Sequence, residues 1–575
     1  MTIDLAVRPA APSRTEPRVV AERAATDAML RCWTREAGLS VPLAGSFLTV
    51  PLPSSGVTVV AQVQHRSPVG WHRFGTPHLA DVPLDSVTLA ALLARECVAP
   101  AGGAAVADLV ERAAESVRRV ASFVAYRQAH PMTDAGGFLD AEQALLLGHL
   151  IHPAPKSRDG ISNADAAAYS PELRGSFQLH WFLADPSLVT SDTVTGRDVR
   201  ELLRDLGQFG SPEQPELSKI AVPAHPWQAR DLVTRPGVRE LIESGLLEAV
   251  GPRGQRWYPT SSLRTVYRPD AGVMLKLSLG LRITNSKREN TYTELIRGAE
   301  IHRLLDAGIA DEVATAYPGF RIVRDPAWLA VRTPDGAMTN LDVSVREVPP
   351  GIHAASCLAG LVAPQPGIGP SRLATAVRRL ANATARPVAE VAADWVRRYV
   401  DRVLAPMIHL YRTTGIGLEA HQQNTLVVRG DHGWPTAGWY RDNQGYYLAT
   451  SGLSRVLRLT GAKESSLAVV DDDIVDDRLT YYLLFNQALA PVGALGSEGI
   501  ADEAHLLAAV RDGLEAIVAR GHDSASGLVR GWLDADTLPC KANFATRVAG
   551  IDEVIAPLDA QSVYHQVPNP LREAS

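Results

Sequence analysis

The sequence contains few cysteines for its length. Only 4 of the 575 residues are cysteine, and Cys32, Cys97, Cys357 and Cys540 lie far apart with no C-x-x-C pair. A disulfide framework or a zinc ribbon requires closer clustering. We therefore expect four free thiols, mostly buried, in a reducing compartment.

Long hydrophobic runs are also missing. No stretch approaches the roughly 18 consecutive apolar residues that a membrane-spanning helix needs. The first twenty residues are rich in Pro, Arg and Ala and lack the apolar segment of a secretory signal. The sequence therefore predicts a cytoplasmic protein with no membrane partner and a frayed N-terminal leader.

An excess of basic charge is the third absence. The chain has 57 Lys and Arg against 63 Asp and Glu, a net charge of −6. This balance argues against a general nucleic-acid-binding surface, although a local basic site can exist within an acidic protein.

The remaining composition is that of a large globular protein. Hydrophobic residues make up 46% of the chain, which permits a substantial core and excludes wholesale disorder. At roughly 150 residues per domain the length predicts about four domains. Apolar periodicity predicts helices over about 20–37, 103–128, 140–147, 371–383 and 388–412, and strands and turns over 41–63 and 218–290. The fold class is α+β.

Three groups of polar residues have the composition of a chemical site. The first is the loop 148–160, in which His149, His152, Lys156 and Arg158 accompany two prolines that stiffen the backbone. Lys and Arg bind phosphate or carboxylate, and a pre-organised loop loses less entropy on binding. A surface loop with incidental charges is the alternative.

The second group lies between 260 and 288. Residues 260–267 are expected to form a strand that returns over 273–279, with Ser262 and Arg264 on one face. Lys276 lies in an apolar strand and needs a counter-charge. Arg288 precedes a capping box, Thr291-x-x-Glu294, that opens a helix. Converging cations suit a polyphosphate; exposed charges on an edge hairpin are the alternative.

The third group follows the pattern Glu419-x-His421-x-Gln-Asn424, then a strand over 425–428, a turn, a return strand over 436–440, and Asp442. Protein kinases use a similar layout, in which an Asn and a later Asp bind Mg²⁺ on nucleotide phosphates. Asn and Asp offer the hard oxygen ligands that Mg²⁺ prefers. A structural, hydrogen-bonded His421 is the alternative.

Taken in order, these motifs resemble the IucA/IucC family, the NRPS-independent siderophore synthetases. The resemblance includes His225-Pro-Trp-Gln, the segment from Thr260 to Thr265, and Lys276 with Ser278, and its last element is Lys541 to Arg547. It runs from about 145 to 547. One departure is Leu150, which stands where the family's first motif usually has Pro.

The resemblance implies a cupped-hand, multidomain fold. Residues 1–147 would be the thumb domain, 148–345 the fingers domain with ATP-binding motifs, and 346–575 the palm domain with catalytic and carboxylate-binding motifs. The palm would have a distant likeness to kinases. Family members are commonly dimers, so a homodimer is expected.

The implied activity is ligation in siderophore biosynthesis, and hence iron acquisition. With ATP and Mg²⁺, the family adenylates a carboxylate (citrate, a citryl or succinyl derivative, or 2-oxoglutarate), releases pyrophosphate, and joins the acyl group to an amine or alcohol. The nucleophile would be a polyamine, a hydroxamate amine or an amino acid.

The resemblance and the residue types together give each candidate a role. Catalysis is assigned to His421, Arg288 and Lys276. ATP binding is assigned to Lys156, Ser157, Arg158, Ser262, Arg264, Lys276, Arg288 and Asn424. The substrate carboxylate is assigned to His421, Lys541 and Arg547, and the metal to Glu419, Asn424 and Asp442. Two rival functions stay open: a kinase-like small-molecule phosphotransferase, and a non-catalytic citrate- or siderophore-binding protein.

Overall fold

The computed structural model describes residues 16–98, 103–131, 137–210, 218–460, 467–524, 526–552 and 561–572. Most of the predicted N-terminal leader lies outside these ranges. Within them, no helix is both long and apolar enough to cross a membrane. Helices and strands are both abundant, which confirms the α+β class.

The N-terminal part packs helices against a small antiparallel sheet. Its strands are β1 (Phe47–Leu52), β2 (Val57–His65), β3 (Arg73–Phe74), β4 (His78–Leu79) and β5 (Val82–Pro83), in the order β1-β2-β4-β5 with β3 on β2. Its helices are α1 (Pro17–Glu36), α2 (Ser86–Cys97), α3 (Gly103–Ala129) and α4 (Phe138–Glu142). The alternating burial of β1 turns Leu48, Val50 and Leu52 into the core that the strand shares with the helices.

The middle part is built on an eight-stranded antiparallel sheet, β8-β16-β17-β12-β11-β10-β7-β9. The strands of this part are β6 (Arg158–Asp159), β7 (Phe177–Ala184), β8 (Val189–Thr193), β9 (Ile220–Ala224), β10 (Leu247–Pro259), β11 (Thr265–Tyr267), β12 (Val273–Leu277), β13 (Leu279–Ile283), β14 (Ser286–Arg288), β15 (Arg321–Ile322), β16 (Ala327–Arg332) and β17 (Met338–Glu347). Its helices are α5 (Asn163–Tyr169), α6 (Val199–Leu206), α7 (Pro226–Leu232), α8 (Pro236–Glu243), α9 (Tyr292–Leu304) and α10 (Ala310–Ala316). A separate sheet, β14-β13-β6, joins the first motif loop to the hairpin that carries Arg288.

The C-terminal part is mostly helical around three small sheets, β15-β21-β20-β18, β19-β22-β23 and β24-β25. Its helices are α11 (Leu358–Val362), α12 (Arg372–Thr384), α13 (Val388–Tyr399), α14 (Ala405–Thr414), α15 (Leu453–Thr460), α16 (Asp472–Leu479), α17 (Ala490–Ser497), α18 (Glu503–Ala519), α19 (Leu528–Asp534) and α20 (Asn543–Val548). Its strands are β18 (Ala355–Cys357), β19 (Ile416–Leu418), β20 (Thr425–Arg429), β21 (Pro435–Tyr440), β22 (Tyr446–Ala449), β23 (Val469–Val470), β24 (Thr537–Lys541) and β25 (Tyr564–Pro568). Strands β20 and β21 form the predicted hairpin, in antiparallel register from Thr425 opposite Tyr440.

Some side chains of one part pack in the hydrophobic core of another part. Phe544 and Val548 of α20 pack in the N-terminal core, and Val69 and Trp71 pack in the C-terminal core. The division at 147 and 345 stays a prediction, as do the cupped-hand shape and the kinase likeness of the palm.

Several local predictions are confirmed. Thr291 accepts from the backbone N–H of Glu294 while the Glu294 carboxylate accepts from that of Thr291, so the capping box forms at the start of α9. The helices expected over 103–128 and 371–383 form as α3 and α12. All four cysteines are free; three are buried, whereas Cys97 is exposed.

Three local predictions are wrong. The helix expected over 140–147 is only α4, which ends at Glu142, because side chains of Arg127 and Gln365 bind the carbonyls of residues 143 and 144. Residues 260–264 form a turn with Leu263 at φ +64°, so they do not alternate as a strand. The segment 218–290 also contains α7 and α8, each started by a proline at a first-turn position.

Candidate functional site

The buried Lys276 joins the middle and C-terminal parts. It lies on β12, is 3% exposed, and its Nζ is 2.6 Å from Oδ1 of Asp442, with Gln444 as a second acceptor. Burial by itself would raise the pKa of Asp442, but the cations of Lys276 and Arg346 hold it far below its usual range. The counter-charge that the apolar strand required is therefore Asp442.

Arg264 and Arg288 meet at the start of α9. The Arg264 guanidinium donates to the carbonyl of Arg288 at 3.0 Å and to Oδ1 of Asn290 at 2.7 Å. Arg288 donates to the carbonyl of Ile283 and to Oγ1 of Thr284, both at 3.3 Å. The Arg264 side chain therefore joins the turn that carries it to the hairpin that carries Arg288.

Ser262 stabilises the turn that carries Arg264. Its Oγ accepts from the backbone N–H of Thr265 at 3.2 Å, and the Thr260 hydroxyl lies 3.3 Å away. The turn also exposes no long apolar side chain, since Leu263 is buried. Ser262 is therefore a local hydrogen-bonding residue beside the two arginines.

The His421–Asn424 turn stands next to Asp442. Nδ1 of His421 accepts from the backbone N–H of Gln423 at 3.2 Å, and burial lowers the pKa of His421 to about 4. The Asn424 amide nitrogen donates to the carbonyl of Glu419 at 3.1 Å, and His421 Nε2 lies 3.3 Å from it. The amide oxygen of Asn424 consequently points away from both partners, and the imidazole is neutral at pH 7.

Glu419 has a hydroxyl partner. Its carboxylate accepts from the Tyr447 hydroxyl, and burial raises its pKa above the usual range. The Glu419 backbone N–H bonds to the carbonyl of Gly445, three residues after Asp442. The backbone thus brings Glu419, Asn424 and Asp442 into one region.

The cations of the first motif are paired with Glu172, which follows their loop in the sequence. Lys156 and Arg158 both donate to Oε1 of Glu172, the latter at 2.6 Å, and Glu172 is 2% exposed. Ser157 is buried and donates to the Ala154 carbonyl at 3.1 Å. Two cations share one carboxylate, so the group Lys156, Arg158 and Glu172 has a formal net charge of about +1.

The two C-terminal candidates lie in different surroundings. Lys541, at the end of β24, has its Nζ 6.0 Å from the centre of the Tyr481 ring and contributes to the lowered pKa of both His149 and His421. Arg547, on α20, is 3% exposed and is ion-paired with Asp108 of α3. Lys541 therefore shares the electrostatic environment of His421, whereas the ion pair of Arg547 is with the N-terminal part.

Sequence reasoning missed several charged partners. Four buried residues form ion pairs around the candidate residues: Glu142, Glu172, Arg346 and Arg441. Arg441 could have been found because it directly precedes the candidate Asp442 in the sequence. No local signal marks Glu142 or Glu172, because their partners are distant in sequence or lie across a turn.

This arrangement suits a polyanion and a divalent cation. Among the described residues, no group of three or more His, Cys, Asp or Glu side chains forms a metal centre. Mg²⁺ commonly uses one or two protein oxygens and completes its shell with water and phosphates. The ionised carboxylate of Asp442 and the amide oxygen of Asn424, two residues whose segments are joined by the Arg441 N–H to Asn424 carbonyl bond, fit that requirement by their chemistry.

Comparison with known proteins gives consistent relatives over nearly the whole chain. The sequence model of the IucA/IucC family matches residues 137–363, and a model described as a ferric iron reductase FhuF-like transporter matches 393–555. The rhizobactin siderophore biosynthesis protein RhbC of Rhizobium meliloti (strain 1021) is 37% identical, covering 91% of this chain and 92% of that protein. The spermidine-citrate ligase of Bacillus anthracis is 36% identical, covering 96% and 98%.

A solved structure has the same fold. It is the ATP-bound aerobactin synthetase IucA from a hypervirulent pathotype of Klebsiella pneumoniae, with a TM-score of 0.84 and 26% identity over 95% of this chain and 99% of that chain. The ordered motifs, the fold and the full-length similarity to siderophore biosynthesis proteins agree. This chain belongs to the IucA/IucC family.

Proposed function

We propose that this protein is an ATP-dependent, AMP-forming ligase that joins citrate or a related polycarboxylate to an amine. The observation that carries the proposal is the contact of Lys276 with Asp442 beside the His421–Asn424 turn. It brings a cation and hard oxygen ligands from separate motifs into one site. The names of the relatives, which include a spermidine-citrate ligase, support citrate and a polyamine as substrates.

The phosphates of ATP would lie against the cations of the middle part. Arg264, Lys276 and Arg288 would stabilise the negative charge that grows on the α-phosphate and on pyrophosphate as the acyl-adenylate forms. Ser262 would hold the turn in place. The net charge of the Lys156–Ser157–Arg158 loop would add to the potential, and β6 links that loop to β13 beside Arg288.

Asp442 and Asn424, with Glu419, would hold Mg²⁺, which neutralises phosphate charge when bound. Asp442 is well suited because its pKa is low and its side chain is 28% exposed. Lys276 would exchange part of its contact with Asp442 for phosphate. This is an exchange between two anionic partners, so the buried ammonium stays neutralised.

The carboxylate substrate would bind beside His421. A neutral imidazole can donate one hydrogen bond to a carboxylate or to the reacting carbonyl, and Lys541 supplies a cation nearby. Arg547 belongs to this set in our proposal, through the α20 segment that follows Lys541. In the second half-reaction the amine would attack the acyl carbon, release AMP and lose a proton.

The deciding experiment is a product assay with citrate and related carboxylates, each paired with polyamines. The ligase should form pyrophosphate and AMP in step with the amide. A kinase-like phosphotransferase would instead form ADP, and ADP stoichiometric with turnover would overturn the proposal. A chain that only binds citrate or siderophore would consume no ATP.

A further inference from the structure

Glu142 connects three segments that carry the candidate site. It lies at the end of α4, is 0% exposed, and its Oε1 is 2.8 Å from Nη1 of Arg441. Its Oε2 accepts from the backbone N–H of Ser261 at 2.9 Å and from the Ser261 hydroxyl at 2.7 Å. One buried carboxylate thus holds both the residue before Asp442 and the turn before Arg264.

Arg441 continues this connection to the His421–Asn424 turn. Its guanidinium donates to the carbonyl of Gln423 through Nη2 at 2.7 Å and through Nε at 3.1 Å. Its backbone N–H donates to the carbonyl of Asn424 at 3.0 Å. Arg441 therefore fixes the backbone on both sides of the gap between Asn424 and Asp442.

The Gln423 side chain also connects the two turns. Its amide nitrogen donates to the Ser261 hydroxyl at 3.2 Å. The turn at 260–265 and the turn at 421–424 are thus joined directly by this bond and also through Glu142 and Arg441. The distance between the arginine cluster and the Asn424–Asp442 pair depends on these bonds.

Stability is a weak reason for such a pair. Desolvating two charges offsets much of their mutual attraction, and apolar residues of similar volume often serve stability as well or better. What the ion pair supplies is direction, because a planar guanidinium binds a carboxylate and a carbonyl at fixed angles. The Phe138 ring, 5.9 Å from the Arg441 guanidinium, limits its movement further.

The backbone of α4 is held equally closely. A Cβ at Gly360 of α11 would lie 1.9 Å from the carbonyl oxygen of Ala141. Only glycine allows this approach, so α11 sets the position of the residue before Glu142. The location of the carboxylate is thereby determined from its own helix as well as by its ion pair.

From these contacts we propose that Glu142 is a positioning residue for the nucleotide–metal site. It fixes the separation between the Arg264 turn and the Asn424–Asp442 pair through Ser261 and Arg441. The inference rests on the proposed function for its kinetic readout. Glu142 itself touches neither substrate nor metal in this proposal.

The test uses the full-length chain with Glu142→Gln, which keeps the shape and removes the charge. The matched control is Glu503→Gln, because Glu503 is also buried and bonds His65 at 2.8 Å and Ser67 at 2.6 Å, in contacts that do not include the candidate residues. Pyrophosphate release is measured against ATP and Mg²⁺ concentration. We expect Glu142→Gln to lower kcat at least tenfold and to raise the Mg²⁺ concentration for half-maximal rate at least fivefold, whereas Glu503→Gln changes only the thermal midpoint.

Two further variants keep the proposal testable if Glu142→Gln folds poorly. Ser261→Ala leaves the ion pair intact and should raise KM for ATP severalfold. Gly360→Ala displaces α4 and should shift the Mg²⁺ dependence in the same direction as Glu142→Gln. Identical Mg²⁺ and ATP dependence in Glu142→Gln and Glu503→Gln would overturn the inference. If the wild type forms no pyrophosphate, the proposed function fails, and calorimetric binding of Mg²⁺–ATP to the same variants decides the inference separately.

Discussion

Two basic clusters with similar composition have different electrostatic surroundings. Lys156 and Arg158 share Glu172, a carboxylate that is 2% exposed. Lys276 is just as buried, but its partner Asp442 has a side chain that is 28% exposed. The first cluster shares a carboxylate that solvent scarcely reaches, whereas the second faces a carboxylate that a metal or phosphate can reach. The cations of the two clusters are therefore similarly buried, and the exposure of their carboxylate partners is what distinguishes them.

The largest expected effect is from breaking the second cluster. Lys276→Met removes the ammonium, so pyrophosphate release should fall about 10²–10³-fold. Lys287→Met is the matched control, since Lys287 is exposed on β14, a strand of the separate sheet β14-β13-β6, and it should remain within about twofold of wild type. Near-wild-type turnover in Lys276→Met would contradict the assignment of phosphate stabilisation to this residue.

Breaking the first cluster should affect stability more than chemistry. Glu172→Gln leaves two buried cations without their carboxylate, which typically costs about 3–5 kcal/mol. Chemical denaturation and hydrogen exchange at residues 154–160 would measure the loss. Asp205→Asn, which removes an exposed pair with Arg197, should cost less than about 1 kcal/mol. Equal losses in the two variants would show that the buried Glu172 ion pairs contribute no more to stability than an exposed ion pair does.

The smallest expected effect is that the two regions lose stability at different pH values when the solution is acidified. The pKa of His421 is lowered to about 4 by burial, so its contribution is present above about pH 6.5 and is lost as pH falls through about 4. Burial opposes ionisation of Glu172, but Arg158 and Lys156 lower its pKa to about 2, so its contribution is present above about pH 4.5 and is lost as pH falls through about 2.

Hydrogen exchange between pH 7 and 3 tests this order. Protection of the 419–425 backbone should decrease at a higher pH than protection of 154–160. Simultaneous loss of protection, or loss in the 154–160 loop first, would show that these two groups do not control the acid response of their regions.

Local features of the site followed well from the sequence. The capping box at Thr291 and the β20–β21 hairpin both depend on contacts within a few residues. The turn at 260–264 did not follow, because Leu263 adopts a left-handed conformation that a run of polar and apolar residues does not announce. Helix α4 stopped early because side chains from α3 and from residue 365 bind the carbonyls beyond it.

The sequence by itself determined the residue types, their order and hence the family, since short motifs and helical periodicity depend on residues that are close together in the chain. The tertiary structure decided which carboxylate each buried cation meets: Glu172 for Lys156 and Arg158, Asp442 for Lys276, and Glu142 for Arg441. The physical reason is that buried charges are satisfied by whatever partner the packed chain brings within about 3 Å. Two of these partners lie more than 150 residues away in sequence, where local periodicity carries no information.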